Sequence, residues 1–286
     1  MFTSVLVPVA FAEEDSLILS FVRGLPALGV KRVVLGNVLD SMGMEGPIIR
    51  AANQRIVAAL EALATQLADT ELEVEVEGWC GDPMHDLVTL AAKKQCDALV
   101  MGSHAKPPAD EIVEGSISET MINHAEVPTL VARYDLLREG APDAISASFG
   151  RRLLLATDFS HAAWRALEFV TSLAPGAVET LRLVHVLDES ESGAGEAGRE
   201  TAAAFLDPLT ATARERGIAA ESEVLLGDPT TVVLEEIERW DATGVAVGTH
   251  GRNALQEALL GSLPMTLLRR ASCPALIVPR AAEDRG

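Results

Sequence analysis

The sequence predicts an α/β protein made of two tandem domains, each a parallel sheet covered by helices on both faces. Short apolar runs such as Val5-Leu6-Val7, Leu99-Val100-Met101 and Leu153-Leu154-Leu155 alternate with segments of helical spacing. Strands that are apolar on both sides belong between two helical layers. The pattern also occurs twice in register. Gly248 lies 146 residues beyond Gly102, and the same interval separates Gly261 from Gly115, Gly227-Asp228-Pro229 from Gly81-Asp82-Pro83, and Cys273-Pro274 from Val127-Pro128. A chain of 286 residues with 48 % hydrophobic content can bury two cores without covalent staples.

In the first copy, residues 4–9 form a compact apolar strand, and 15–28 carry Leu17, Ile18, Phe21 and Leu25 at helical spacing. Residues 30–39 return to β-branched types, 51–67 are strongly helical, and 72–76 alternate as a strand does. Glu71, Glu73, Glu75 and Glu77 are expected to form the solvated face of that edge strand, where charge discourages aggregation. Asp82 and Pro83 then open a helix through Leu87, Leu90 and Ala91, the Asp as its cap and the Pro in its first turn. A strand at 98–101, a glycine loop, a helix from Ser116 and a strand at 129–131 complete five strands.

This gives a first domain over 1–134 and a linker over 135–150, where Gly140, Pro142 and small residues interrupt the pattern. The second domain spans 151–280 and a tail 281–286. Its strands are expected at 153–155, 181–187, 221–225 and 245–247, with helices at 162–173 and 199–216. Residues 188–200, rich in Glu, Ser and Gly, form a solvated connector or, in a sharper reading, a flap over a site.

Composition removes several function classes. A formal charge of −19 opposes nucleic acid and anionic lipid, both of which need a cationic face. Cys80, Cys96 and Cys273 form no C-x-x-C pair and suit a reducing compartment. Residues 5–12 are apolar and Ala10-Phe11-Ala12 has the shape of a processing site, yet no Lys or Arg precedes it and Glu13-Glu14-Asp15 follows. It is read as a buried strand. No run approaches the roughly 20 apolar residues of a membrane span, so a cytoplasmic protein is expected. No motif points to a flavin, a nicotinamide or a structural metal.

The chemistry concentrates between Gly248 and Ser262. Gly248, two residues, Gly251, nine residues and Gly261-Ser262 leave the apolar run Val245-Ala246-Val247 and enter the helical stretch 263–268. Glycines let backbone N–H groups approach a ligand closely, Ser262 can cap the helix, and the helix N-terminus attracts an anion, most simply a phosphate. His104 and His250 recur at equivalent places, but no Ser–His–Asp or Cys–His arrangement forms around them; they are expected to organise the loops by hydrogen bonding. Trp79, Trp164 and Trp240 are expected to pack as core or interface residues.

The spacing G-x-x-G, nine residues, G-(S/T), together with Thr157-Asp158-Phe159-Ser160, Leu183-Val184-His185-Val186, Gly227-Asp228-Pro229 and Cys273-Pro274-Ala275-Leu276-Ile277-Val278, resembles the universal stress protein family in its tandem form. The resemblance implies two Rossmann-like domains of the adenine nucleotide alpha-hydrolase type, each with sheet order 3-2-1-4-5, paired through their fifth strands as an intramolecular pseudo-dimer. It places ATP, with Mg as an accompanying ion, at the carboxyl edge of the second sheet. Asp158 takes the acidic nucleoside position, also near any Mg, and Ala156 stands where members often have Pro. Val186 and Val247 frame the adenine. Gly248, Gly251, Gly261, Ser262 and the amide of Leu263 hold phosphate, with Arg252 as a further cationic contact. Pro264 falls in the first helical turn.

The first copy departs from this pattern. Ala10 stands opposite Asp158 and Ala105 replaces the second glycine, while Pro107-Pro108 stiffens the loop and Ser116 with Glu119 has capping-box spacing. Its site, comprising Ala10, Val38, Met101, Gly102, Ala105, Gly115 and Ser116, is therefore expected to be degenerate. The reading is a nucleotide-dependent stress-response switch with one site and no catalytic residues, with further assembly into a homodimer left open and its protein partner unnamed by the sequence. A slow ATPase or nucleotidyl-transferring enzyme, and a scaffold binding no nucleotide, are the rival classes.

Overall fold

The computed structural model describes residues 2–104, 117–187, 195–249 and 260–280. Ala105, Pro107, Pro108, Gly115, Ser116, His250, Gly251 and Arg252 lie outside the described residues, as do 188–194 and the tail 281–286.

The first repeat contributes strands β1 (Ser4–Pro8), β2 (Arg32–Asp40), β3 (Glu73–Gly81), β4 (Ala98–Ser103) and β5 (Thr129–Arg133). The second contributes β6 (Arg152–Ala156), β7 (Thr180–Leu187), β8 (Ala219–Leu226), β9 (Gly244–Gly248) and β10 (Ala275–Val278). All join one ten-stranded sheet of order β3-β2-β1-β4-β5-β10-β9-β6-β7-β8. Each half is parallel with order 3-2-1-4-5, and the halves meet where β10 runs antiparallel to β5, with Leu276 opposite Leu130.

Side chains alternate across this sheet, so neighbouring residues feed different cores. Val5 and Val7 join the layer containing α1 (Asp15–Arg23), α2 (Gly46–Ala64), α7 (His161–Thr171) and α8 (Gly195–Glu215). Leu6 joins the layer containing α3 (Pro83–Lys93), α4 (Ile117–His124), α9 (Pro229–Arg239) and α10 (Ser262–Arg270). Both cores draw on both repeats.

Several sequence expectations change in detail. The helix expected over 15–28 ends at Arg23 and continues as a 3-10 turn, Leu25–Leu28, since Pro26 lacks an N–H to carry α-helical bonding onward. Residues 135–150 include two short helices, α5 (Tyr134–Glu139) and α6 (Pro142–Ala147). Helix α6 packs so closely on α1 that a Cβ at Gly24 would lie 2.0 Å from the Asp143 carbonyl oxygen. Residues 195–200, expected as connector, are the opening of α8.

The glutamates of edge strand β3 are not simply solvated. Glu75 pairs with Arg32 at 3.0 Å and Lys94 at 3.1 Å, and Lys94 also pairs with Glu77. Arg32 first, then Lys94, hold the Glu75 carboxyl below its ordinary range. Trp164 is not a core residue; it is 39 % exposed on α7. Trp240 lies under the guanidinium groups of Arg152 and Arg182. All three cysteines are free thiols, and burial pushes Cys273 up to about 12.

Candidate functional site

The strands β7, β6 and β9 lie side by side, and the connections leaving β6 and β9, through α7 and α10, go to opposite faces of the sheet. A parallel sheet opens a crevice at the carboxyl ends of such strands. Here it is a cleft of about 320 Å³, floored by Ala156 at the end of β6, Thr157 and Asp158 just beyond it, Val184 to Val186 of β7, and Val247 and Gly248 of β9. Pro229 and Val233 of α9 wall one side, and Gly261 to Pro264 at the start of α10 close the other. One end is therefore apolar and the other is a helix N-terminus.

The loop after β6 is fixed by its own polar groups. The Thr157 amide donates to the Val184 carbonyl at 2.9 Å, and the Ser160 amide donates to Asp158 Oδ1 at 3.0 Å. Ser160 caps α7 by accepting from the Ala163 amide. Phe159 takes a left-handed φ of 61°, uncommon for a side chain of this size, and stacks on His185 at 4.4 Å. His185 Nδ1 lies 2.8 Å from the Thr157 carbonyl, an acceptor, so Nδ1 carries the proton. These bonds hold Asp158 at the mouth of the cleft.

The start of α10 differs from those of α3 and α9, the neighbouring helices on the same face of the sheet. Asp82 accepts from two amides of α3, and Asp228 accepts from the Thr231 amide of α9. At α10 the N-cap is Gly261, which has no side chain to offer, and Ser262 is the first helical residue. This corrects the expectation that Ser262 caps the helix. The Gly261 amide is used, donating to the Thr249 carbonyl at 2.9 Å, while among the described residues no side chain caps the amides that follow. An uncapped helix N-terminus facing a cleft fits a bound anion.

Of the residues assigned from sequence, Ala156, Asp158, Val186, Val247, Gly248, Gly261, Ser262 and Leu263 all line this cleft. Gly251 and Arg252 fall outside the described residues. Gly248 has a packing role as well, since a Cβ there would sit 2.7 Å from Ala162 Cβ and 2.9 Å from the Ala163 amide. Sequence reasoning missed Pro229 and Val233. Their signal was present in the Gly-Asp-Pro turn, which marks where α9 begins beside the cleft.

The universal stress protein family model matches residues 1–133 and 150–279. The chain belongs to the universal stress protein family. Universal stress protein Rv3134c of Mycobacterium tuberculosis is 35 % identical over 138 residues, covering 46 % of this chain and 50 % of that protein. Universal stress protein MJ0577 of Methanocaldococcus jannaschii is 24 % identical over 155 residues, covering 46 % of this chain and 96 % of that protein. Among solved structures, a universal stress protein from Archaeoglobus fulgidus superposes with a TM-score of 0.77 at 22 % identity, covering 98 % of this chain and all of its own, 100 %. That likeness shows the tandem fold.

The two universal stress repeats differ at their carboxyl edges. Phe11, with φ 57°, follows Ala10 as Phe159, with φ 61°, follows Asp158. The twins of Leu225, Val233 and Val247 are the larger Trp79, Leu87 and Met101, and these pack together with Val38 in one core. Trp79 Nε1 donates to Asp86. Gly102, the twin of Gly248, meets the Tyr134 ring; a Cβ there would lie 2.2 Å from it. His104 stacks on the same ring at 4.7 Å instead of organising its loop only by hydrogen bonds.

In this repeat the buried Asp15 accepts from the Ala10 and Ala12 amides. Desolvation raises its pKa against the opposing effect of those bonds. An internal carboxylate thus engages amides of the loop after β1, at the edge where the second repeat has its cleft.

Proposed function

We propose that the second repeat binds ATP or a related adenine nucleotide and that the protein acts as a nucleotide-dependent switch in the stress response. The observation that carries this is the cleft at the carboxyl edge of β6, β7 and β9, apolar between Val184, Val186, Val233 and Val247 and ending on the uncapped N-terminus of α10. The base fits the apolar end, with backbone at Val186 and Val247 beside it. The phosphates meet the amides of Ser262 and Leu263, with Gly248, Gly251 and Arg252 completing the loop and Asp158 holding the ribose or an accompanying Mg. These assignments use backbone dipoles locally against a global charge of −19.

The protein At3g01520 of Arabidopsis thaliana was crystallised with AMP bound, but its TM-score of 0.35 is too low to carry a site across. The case stands on the cleft. We assign residues 1–134 to a repeat with a degenerate site, 135–150 to the connection, and 151–280 to the nucleotide-binding repeat, with 281–286 as the tail. The two repeats work as an intramolecular pseudo-dimer in a reducing, cytoplasmic setting. No described helix is long and apolar enough to cross a membrane.

Titration calorimetry of the full chain against ATP, AMP and adenosine tests the reading. One site per chain is expected, with Asp158→Ala weakening all three ligands and Leu263→Pro, which removes an amide, weakening only the phosphorylated ones. Absence of binding by the unmodified protein, or equal loss of adenosine and ATP in Leu263→Pro, overturns it.

A further inference from the structure

The phosphate-facing end of α10 is not held by its own repeat alone. Leu260, which immediately precedes Gly261, donates its amide to Oδ1 of Asn123 at 2.8 Å, and Asn123 belongs to α4 of the first repeat, 137 positions earlier. The Leu260 side chain is buried in the core layer that also contains Met121 and Ile122 of α4. The far end of α10 is tied to the first repeat as well. Arg133, at the end of β5, donates to the Ala271 carbonyl at 3.1 Å, and Ser103 Oγ at the end of β4 lies 3.4 Å from the Leu268 carbonyl. Helix α10 is therefore fastened at both ends to the first repeat.

We infer that Asn123 of the first repeat is a positioning residue for the nucleotide site of the second. By anchoring Leu260 it fixes where the amides of Ser262 and Leu263 point. This rests on the nucleotide reading given above, but makes a separate claim: a residue that touches no ligand, on the other repeat, sets phosphate affinity. It also gives the first repeat a use that does not require a ligand of its own. A side-chain acceptor buried at a loop anchor is worth an appreciable fraction of a tenfold change in an equilibrium, more when its donor is left unpaired. The contact is local to α4 and the loop end, so its effect falls on the phosphate end of the cleft. The apolar end is framed by β7, β9 and α9.

The test is calorimetry on the full chain with ATP and adenosine as separate probes, alongside hydrogen exchange at the Leu260 amide. Asn123→Ala is expected to weaken ATP roughly five- to tenfold, leave adenosine within about twofold, and speed exchange at Leu260. Asn123→Asp keeps an acceptor in the same place and is expected to restore slow exchange at Leu260. Binding of ATP by Asn123→Ala as tight as by the unmodified chain overturns the inference. So does an equal loss of ATP and adenosine, which would mark a merely structural role. If the unmodified chain binds neither probe, the nucleotide reading itself fails, while faster exchange at Leu260 in Asn123→Ala would still report the tether.

Discussion

Tyr134 shows how one residue separates the two repeats. It follows β5, lies against Gly102 and is stacked by His104, where the second repeat instead brings Gly248 against Ala162 of α7. Burial, with smaller contributions from Asp15 and Glu14, pushes its phenol up to about 12. It is the only tyrosine in the chain, so ultraviolet titration reads it alone. The folded phenol keeps its proton above the ordinary value of 10.0, whereas the unfolded chain releases it there, so stability falls as pH rises from about 10 to 12. Phenolate absorbance is expected near pH 12, or together with alkaline loss of the circular dichroism signal. A midpoint near 10 with the fold intact would place the ring in solvent.

At the scale of elements, Gly248 and Gly261 look alike in the motif but differ in the structure. Gly248 sits where β9 touches α7, with backbone and Cβ atoms of α7 inside 3 Å of an added methyl, so Gly248→Ala must push the helix away. Gly261 has φ −59°, open to any residue, and a Cβ would meet the Thr249 carbonyl oxygen only at 3.3 Å. Thermal unfolding is therefore expected to fall by several degrees for Gly248→Ala, about 1–3 kcal/mol, and to change little for Gly261→Ala. Equal losses in both would contradict this division. The strands were legible because Val5-Leu6-Val7 and its counterparts are apolar on both faces. The end of the first helix was not, because it depends on Pro26 and on how α6 approaches Gly24.

At the scale of the whole molecule, the interval of 146 residues pointed to the strand ends and helix start that line the cleft of the second repeat. Ala10 opposite Asp158 was readable as a loss in the sequence. The packing of Trp79 with Leu87 and Met101 was not, because it depends on which side of the sheet each faces. The Asn123 tether was equally hidden, since residues 137 positions apart meet only after β5 pairs with β10. On the proposed reading, fusion of two repeats in one sheet lets one keep a ligand while the other keeps its shape. A crystal structure of the full chain grown with excess ATP tests this most directly. The account predicts one nucleotide per chain, its base between Val186 and Val247 and its phosphates on the amides of Ser262 and Leu263. An empty second cleft, or a nucleotide seated at Gly102 in the first repeat, would contradict it.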